Sequence, residues 1–374
     1  MSQKPFRLAD RVDLIRPSGI RKFFELGLSM PDPIDLSIGQ AHFDVPDAIK
    51  KAAQKAIDEG KNRYTVTQGI PQLREALKAR YTQRFKDISD EDVMVTCGVS
   101  GGLMLSFMAL LNPGDEILVP DPYFIMYCHL ATMVGAKSVT YDIYPDFKLS
   151  AQRIRERITE RTRLIIVNSP SNPTGHAMSE AEARELAKLA DETGVPLISD
   201  EIYEDFLFEG RHVSPREFTR NCIVVSGASK SLGMPGWRIG WMLAPRDLSE
   251  RMYTLQQFSF VCAPAPLQWA ALAGMEQDFT PRRDEYRAKR DLVYNGIREN
   301  YPTVKPGGAF YMFPQLPQGM DPGKFLERCI ERQLLVVPGA ACSERNTHFR
   351  LCFASTDEKL KRAVDILNDI ARKP

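Results

Sequence analysis

Residues 223–243 read IVVSGASKSLGMPGWRIGWML, which is two apolar runs on either side of a loop of small residues. The two runs, 223–225 and 239–243, are predicted β-strands. The loop places Lys230 among small side chains that leave room for a bulky group. A lysine amine near an apolar wall loses its proton more easily and can condense with an aldehyde. A lysine in a loop is more often simply solvated, so a chemical role for Lys230 has to be supported by other parts of the sequence.

From about residue 93, short β-branched runs alternate with helical patterns. This order is typical of a mostly parallel sheet with crossover helices. One helix is predicted to begin at Ser179, whose hydroxyl can cap a free N–H while Glu182 reaches back, and to end at Gly194. Another helical face starts at Ala48 and ends at Gly60. The predicted strands of the sheet are residues 93–96, 116–119, 138–141, 164–167, 197–199, 223–225 and 239–243.

The length of the chain, 374 residues, favours two packed lobes over one, because a single hydrophobic core rarely grows to that size. After residue 264 the pattern changes to a long helical stretch, two strands at 310–313 and 349–353, and a final helix. We therefore predict a large domain at 46–264. Residues 1–45 and 265–374 are expected to form a smaller α+β domain that packs closely against it.

Composition excludes several classes of function. Lys and Arg total 49 against 48 Asp and Glu, so nucleic acid and an anionic membrane are not expected as partners. The first ten residues contain no apolar core, so neither a signal peptide nor an anchor is expected. The seven cysteines are scattered without a Cys-x-x-Cys pair, which favours a cytoplasmic location. The five histidines show no pair at metal-ligand spacing, so no metal site is predicted.

Three further segments carry polar groups to the ends of predicted strands, where open α/β sheets bind ligands. Asn172-Pro173-Thr174-Gly175 follows one strand and is also compatible with an ordinary turn. Asp200 ends the next strand and is also compatible with a helix N-cap. The stretch 98–102, GVSGG, lies between a strand and an apolar helix, where backbone N–H groups can bind a phosphate.

Together and in this order, these segments resemble the class I/II aminotransferases, a family of pyridoxal 5′-phosphate (PLP) enzymes of fold type I. No dinucleotide fingerprint competes with them. The resemblance implies a three-layer α/β/α large domain with a mostly parallel seven-stranded sheet, plus a smaller α+β domain. It covers nearly the whole chain and extends to the stretches 34–39, 64–74, 121–123, 308–311 and 349–351.

The resemblance also implies roles at the cofactor. Catalysis is assigned to Lys230, Asp200 and Tyr203. Lys230 would form the Schiff base and later move the α-proton, and Asp200 would keep the pyridine nitrogen protonated. Asn172 and Tyr203 would bind the ring oxygen, and Tyr123 would stack on the ring. The cofactor phosphate would be bound by Val99, Ser100, Gly101, Ser229 and Arg238.

Arg350 would bind the substrate α-carboxylate, with Gly39, Asn172 and Tyr311 around it. In the family, the residue that matches Tyr64 reaches the phosphate of the neighbouring subunit, so a homodimer with shared active sites is expected. Ile20 and Phe24 are expected in the pocket wall.

The chain departs from the commonest family pattern at three positions. Gly227 stands in place of a phosphate-binding serine, and Pro235 stands in place of a threonine. Ser100 occupies a position where some dicarboxylate-specific members have a lysine. Specificity for aspartate is therefore less expected, and the aromatic content favours an amino donor with a neutral or apolar side chain over a dicarboxylate.

The predicted reaction is transfer of an amino group from an L-amino acid to a 2-oxo acid. A carbon–sulfur β-lyase or an amino-acid decarboxylase on the same scaffold is the alternative, because fold and cofactor residues do not fix which bond breaks. A PLP-binding transcription regulator would need an added basic DNA-binding segment. Residues 1–37 are too short and too mixed in charge for one.

Overall fold

The computed structural model of the chain describes residues 6–15, 26–89 and 92–372. Its helices are α1 (Asp10–Leu14), α2 (Asp47–Asp58), α3 (Pro71–Thr82), α4 (Gly98–Leu110), α5 (Met126–Met133), α6 (Ala151–Arg155), α7 (Glu180–Thr193), α8 (Ala228–Ser231), α9 (Arg246–Ser259), α10 (Ala265–Gly274), α11 (Thr280–Ile297), α12 (Pro322–Glu331) and α13 (Asp357–Arg372). Its strands are β1 (Ile34–Asp35), β2 (Val93–Cys97), β3 (Glu116–Asp121), β4 (Lys137–Asp142), β5 (Thr162–Asn168), β6 (Leu197–Asp200), β7 (Cys222–Gly227), β8 (Ile239–Leu243), β9 (Tyr311–Met312), β10 (Leu334–Leu335), β11 (Val337–Pro338) and β12 (Phe349–Cys352). In the described ranges, no helix combines the length and the apolar character that crossing a membrane requires.

A seven-stranded sheet in the order β2-β8-β7-β6-β5-β3-β4 forms the centre of the large lobe. Strand β8 runs antiparallel to both of its neighbours, and the other pairings are parallel. The predicted seven strands and the mostly parallel sheet are confirmed. Because the other six strands run in one direction, their carboxyl ends lie along one edge, where loops can bring side chains together.

Helices cover both faces of this sheet, since its strands are apolar on both sides. In β5, Leu164 and Ile166 pack into a cluster on one face, while Ile165 and Val167 pack into a cluster on the other. All four side chains are fully buried. Each such burial is worth roughly 1.5–3 kcal/mol relative to exposure, so a strand of this kind is stable only between two helical layers. The three-layer architecture is confirmed.

Helix α7 has the ends that the sequence predicts. The Ser179 hydroxyl accepts a hydrogen bond from the Glu182 N–H at 3.3 Å, and the Glu182 carboxylate accepts one from the Ser179 N–H at 2.8 Å. Gly194, at the C-cap, has a φ of 69°, a conformation that costs glycine little. Replacing such a serine cap by alanine typically costs about 1 kcal/mol.

The core of the smaller lobe lies around helices α11 and α13 and continues to Tyr203 and Phe206 of the large lobe. Strands β11, β12 and β9 form an antiparallel sheet, and β1 pairs in parallel with β10. Tyr286, Tyr301 and Phe310 are among the fully buried residues of this core. The chain that follows β1 reaches the carboxyl edge of the large sheet, where the Gly39 carbonyl accepts a hydrogen bond from Lys230.

Helix α10 packs with the large lobe. Its Ala270 and Ala271 share a core with Ile49 of α2 and Leu73 of α3. A Cβ on Gly274 would lie 2.3 Å from Leu232 Cδ1, so glycine permits the close approach at the end of the helix. We therefore propose that the boundary of the small domain lies between residues 274 and 280, later than the predicted residue 265.

Candidate active site

A cavity of about 250 Å³ opens where the carboxyl edge of the large sheet meets the small lobe. Most of the residues predicted for the site line this cavity. They are Gly39, Val99, Ser100, Asn172, Asp200, Tyr203, Ser229, Lys230, Arg238, Tyr311 and Arg350.

Lys230 lies in the single turn of α8, directly after β7. Its Nζ donates a hydrogen bond of 2.6 Å to the carbonyl oxygen of Gly39. Burial lowers the pKa of this amine to about 8, and the nearby Arg350 contributes in the same direction. An uncharged amine is therefore readily available near neutral pH, and this is the form that attacks a carbonyl carbon.

Asp200 ends β6 and is 2% exposed. Its Oδ2 accepts a hydrogen bond from the Tyr127 hydroxyl at 2.7 Å, and its Oδ1 accepts one from the Ile202 N–H at 3.2 Å. Burial nevertheless raises the pKa of this carboxyl to about 6, because two hydrogen bonds do not replace the lost water. A cationic group beside Asp200 would restore the charged form.

Arg350 lies on β12 and is 2% exposed. Its Nη1 donates to Asn172 Oδ1 at 3.0 Å, and its Nη2 donates to the Ser37 carbonyl at 2.5 Å. The guanidinium carbon lies 4.8 Å from the centre of the Tyr311 ring. Among the described residues, Nε has no hydrogen-bond partner. A buried cation with an unused donor is suited to bind an anion that enters the cavity.

Two buried tyrosines cross at the cavity wall. The hydroxyl oxygens of Tyr203 and Tyr311 lie 2.8 Å apart, and the rings pack edge to face. Burial raises the pKa of Tyr203 well above its usual range. Both hydroxyls are therefore neutral, and one of them keeps a hydrogen free for a ligand oxygen.

The start of α4 and Arg238 form a cradle for an anion. Arg238 adopts a left-handed backbone with a φ of 58°, and its Nη1 donates to the Pro235 carbonyl at 2.9 Å. Its Nη2 lies 3.5 Å from the Ser100 hydroxyl. A Cβ on Gly98 would lie 2.6 Å from that Nη2, so only glycine lets the guanidinium approach. The free N–H groups of the first turn of the 13-residue helix add to the positive potential.

The chain is similar to known proteins along almost its whole length. The family model "Aminotransferase class I and II" matches residues 31–367. The chain belongs to this family. A "Probable aspartate aminotransferase" of Methanocaldococcus jannaschii is 36% identical over 374 residues, with 97% of this chain and 99% of that protein covered. An "Aromatic-amino-acid aminotransferase 2" of Thermococcus litoralis is 32% identical, with 98% of each chain covered.

Solved structures agree with this assignment. The aspartate aminotransferase of Thermus thermophilus with maleate matches with a TM-score of 0.93 and 33% identity, over 98% of this chain and all of that one. An alanine aminotransferase of Pyrococcus furiosus matches with a TM-score of 0.92 and 33% identity, over 98% of this chain and 99% of that one. The predicted family, fold class and enzyme class, an aminotransferase, are confirmed.

Three predicted residues of this aminotransferase do not line the cavity. Gly101 is buried within α4 against Cys97, and Tyr64 is 84% exposed at the surface. Tyr123 is half-buried, and its N–H donates to the Cys342 carbonyl at 2.8 Å. Ile20 and Phe24 lie outside the residues that the structure describes.

The aminotransferase cavity also has lining residues that the sequence did not predict. Phe124 lines it where Tyr123 was expected, and Tyr127 binds Asp200. Asn168 donates to the Asp200 carbonyl at 2.8 Å and accepts from the Asn172 N–H at 2.7 Å, which aligns the ends of β5 and β6. Phe124 and Tyr127 follow the Asp121-Pro122-Tyr123 motif directly, and this proximity is the signal that could have found them.

A cluster of Glu201, Glu204 and His212 has metal-ligating side chains within reach of one another. Arg84 occupies the carboxylates instead, at 3.0 Å from Glu201 and 2.9 Å from Glu204, and His212 lies 2.8 Å from Glu201. Burial opposes ionisation of Glu201, but His212 and Arg84 lower its pKa to about 2. We assign this cluster to an internal ion-pair network of the aminotransferase and not to a metal site.

Proposed function

We propose that the chain binds PLP through Lys230 and uses it to move an amino group from an L-amino acid to a 2-oxo acid. The observation that carries this proposal is the pairing of Lys230 and Asp200 in one cavity. The pKa of the amine is lowered and that of the carboxyl is raised. Each buried group is thus poised for a partner: an aldehyde carbon for the amine, and a protonated ring nitrogen for the carboxylate.

The cradle at α4 supports the fit of the cofactor phosphate. Arg238 supplies a fixed positive charge, and the Ser229 and Ser100 hydroxyls line the same cavity. In the proposed complex, these groups and the free backbone N–H groups of Val99 and Ser100 would donate hydrogen bonds to the phosphate. The predicted contact from Gly101 is not included, because in a helix that begins at Gly98 the N–H of Gly101 is directed to the carbonyl of Cys97.

The bound cofactor supplies an electron sink for the bond that breaks at the substrate α-carbon. The protein residues orient the reactants and move the proton. Asp200 keeps the ring nitrogen protonated, while Asn172 and Tyr203 donate hydrogen bonds to the ring oxygen. Once the substrate amine has replaced it on the cofactor, Lys230 Nζ would take the proton from the substrate α-carbon and would deliver it to the cofactor carbon to which Nζ had been bonded. The buried, apolar wall excludes bulk water from that transfer.

Arg350 is proposed to bind the α-carboxylate of the substrate. The Asn172 and Ser37 oxygens fix the plane of its guanidinium, and Tyr311 lies under it. A carboxylate that loses its water on entering needs a bidentate partner, and a fixed guanidinium provides one. Gly39 has no side chain, which leaves room for the Tyr311 hydroxyl beside its backbone.

The amino donor that we propose has an uncharged side chain. Within the described lining, the cations are Lys230, Arg238 and Arg350, and each has a role already. The remaining wall is apolar around Leu103, Phe124 and Met126. The names of the relatives include aspartate, aromatic and alanine aminotransferases, so aspartate is the second candidate.

We further propose a homodimer with shared sites. Tyr64 and Phe258 are each 84% exposed, and Val66 is 56% exposed. Apolar side chains exposed in this way are typical of a surface that a partner subunit covers. A cytoplasmic location is proposed because all seven cysteines are free thiols.

Borohydride reduction of the PLP-loaded protein, followed by peptide mapping, tests the cofactor proposal. The expected result is a reduced PLP adduct on Lys230, which Lys230→Ala abolishes together with amino transfer. Lys188→Ala is the matched control, because Lys188 is an exposed helix residue. A specific adduct on another lysine would overturn the assignment.

Single-turnover reactions with alanine, leucine, tyrosine, aspartate and cysteine, whose β-carbon bears sulfur, test the reaction and the donor. A 2-oxo acid product with the amino group retained on the protein supports transfer. Release of ammonia with loss of the β-substituent, or release of carbon dioxide, would instead favour the β-lyase or the decarboxylase.

A further inference from the structure

The segment of residues 37–43 contacts both cations that are proposed to do chemistry. The Ser37 carbonyl accepts from Arg350, and the Gly39 carbonyl accepts from Lys230. At its other end, Phe43 packs on the loop that follows Lys230, since a Cβ on Gly233 would lie 3.2 Å from the Phe43 ring. The position of this segment therefore affects the orientation of both Arg350 and Lys230.

His42 fastens the 37–43 segment to helix α11. Its backbone N–H donates to the Tyr286 hydroxyl oxygen at 3.1 Å, and its ring Nδ1 lies 2.8 Å from the same oxygen. Its ring Nε2 lies 2.9 Å from the Glu285 carboxylate. Tyr286 is fully buried in the small-lobe core, whereas the His42 side chain is 22% exposed. Tyr286 is thus held in place by the core, and His42 connects the 37–43 segment to it.

The hydrogen bonds define which ring nitrogen carries the proton. A carboxylate only accepts hydrogen bonds, so Nε2 carries the hydrogen that reaches Glu285. In the neutral ring Nδ1 is then an acceptor, and the Tyr286 hydroxyl donates to it. That hydroxyl oxygen accepts the His42 N–H at the same time. Every polar atom of the pair is satisfied in this arrangement.

The surroundings favour the neutral ring. Burial lowers the pKa of His42, and Lys289 and Arg282 act in the same direction against the opposing effect of Glu285. A proton on Nδ1 would also leave the buried Tyr286 hydroxyl hydrogen without its acceptor, which is costly away from water.

We propose that His42 is a positioning residue, which through its Nδ1 contact with Tyr286 sets the 37–43 segment against Lys230 and Arg350. This inference rests on the proposed function only for the roles of those two cations. The contact itself belongs to the fold, and it can be measured without turnover.

Three variants distinguish the role of the Nδ1 contact from that of the Nε2 contact. In His42→Asn, the amide oxygen takes about the place of Nδ1 and can accept from Tyr286, but the contact with Glu285 is lost. In His42→Gln, the amide reaches Glu285 as Nε2 does, but the Nδ1 acceptor is lost. Tyr286→Phe removes the same contact and also the acceptor of the His42 backbone N–H, and it leaves the His42 side chain intact. None of these substitutions leaves a large cavity in the core, so each variant is expected to fold.

Hydrogen–deuterium exchange of the amides of residues 37–43 is the first measurement. In His42→Gln and Tyr286→Phe we expect exchange faster by about tenfold or more, because local opening becomes easier. His42→Asn is expected to stay within about twofold of the parent protein. The proposal is wrong if these amides exchange as fast in His42→Asn as in His42→Gln, or if Tyr286→Phe does not change their exchange rate.

Steady-state kinetics of the PLP-loaded proteins is the second measurement. KM for the amino donor should rise about fivefold or more in the two disrupted variants while kcat changes less, since Arg350 loses its orientation. His42→Asn should rescue KM. If exchange changes as expected but KM does not, the segment does not position Arg350 and the inference falls. If the parent protein transfers no amino group at all, the proposed function fails, and the exchange result still decides whether His42 holds the segment.

Discussion

The Tyr127 hydroxyl donates a hydrogen bond of 2.7 Å to Oδ2 of Asp200, and both side chains are buried. Tyr127 is a neutral donor, so it stabilises the carboxylate without neutralising its charge. The effect of burial on the Asp200 pKa is larger than the opposing effect of this hydrogen bond, so the pKa stays near 6. In the protein without a cofactor, the ionised Asp200 is therefore a source of instability.

Replacing Asp200 by Asn should stabilise the apoprotein at neutral pH. The folded-state pKa near 6 exceeds the usual aspartate pKa of 3.8, so between these pH values the folded state binds a proton more tightly than the unfolded chain does. The free energy of unfolding of the parent apoprotein then falls as pH rises from about 4 to 6. Above pH 6 we expect Asp200→Asn to be more stable by up to about 3 kcal/mol, with little difference at pH 4.

Urea unfolding of both apoproteins at about pH 4 and about pH 7.5, at the lower end of this pH range and above it, measures the difference. With PLP added the order should reverse, because the carboxylate gains a cationic partner. An Asp200→Asn apoprotein that is less stable than its parent at the higher pH would contradict the account.

Phe124, and not Tyr123, is expected to stack on the cofactor ring. Phe124 lines the cavity, whereas Tyr123 does not. Phe124→Ala should weaken PLP binding about tenfold, since it removes a ring contact and its buried area. Tyr123→Ala is the matched control and should change PLP affinity by about twofold at most. Equilibrium titration of the apoproteins with PLP provides both values, and a reversed order would restore Tyr123 to the stacking role.

The Gly39 position should not accept a side chain while Tyr311 is present. A Cβ at Gly39 would lie 1.9 Å from the Tyr311 hydroxyl oxygen. Gly39→Ala is expected to lower kcat/KM by about a hundredfold, because the segment or the tyrosine must move. Adding Tyr311→Phe should recover part of the loss, since it removes the nearest atom.

Gly236→Ala is the control for this pair, because a Cβ there meets no atom within 4 Å. It should leave kcat/KM within about twofold of the parent enzyme. If the double variant is no better than Gly39→Ala alone, contact with the Tyr311 hydroxyl is not the cause.

Arg350→Ala should raise KM for amino acids far more than it weakens PLP binding. Removing one member of a desolvated ion pair typically costs roughly 2–5 kcal/mol, or tens to thousands of fold in kcat/KM. Arg350→Lys should recover only part, because an ammonium cannot bind a carboxylate bidentately. The decisive comparison is an amino acid against the amine that lacks its carboxylate. Equal discrimination by the parent enzyme and by Arg350→Ala would remove Arg350 from this role.

The large lobe could be predicted from the sequence because local signals specify it. Continuous apolar runs mark the buried strands, and Ser179 and Gly194 mark the ends of α7. The order of the strands and the reversal of β8 could not be predicted in the same way. They depend on which surfaces pack together, and this is not encoded by the composition of any one segment.

Whether a predicted residue lines the cavity depends on which of two neighbouring side chains the fold turns inward: the sequence analysis chose Asp200, which lines the cavity, and Tyr123, which does not. Asp200 and Glu201 are adjacent carboxylates, and both are buried. The structure turns Asp200 into the cavity and Glu201 toward Arg84. The choice between Tyr123 and Phe124 is of the same kind. Two successive side chains of an extended segment point to opposite sides, but only the packed structure defines which side faces the cavity.

The contacts of the 37–43 segment also constrain when during synthesis the site can be completed. Ser37 and Arg350 are 313 residues apart in the chain, and Gly39 and Lys230 are 191 apart. Contacts at such separations form late, because the intervening chain must first be present and ordered. A nascent chain that has emerged only through β8 contains every strand of the large sheet but not Arg350. The carboxylate-binding half of the cavity therefore forms only after β12 has left the ribosome and joined a segment that was made near the beginning.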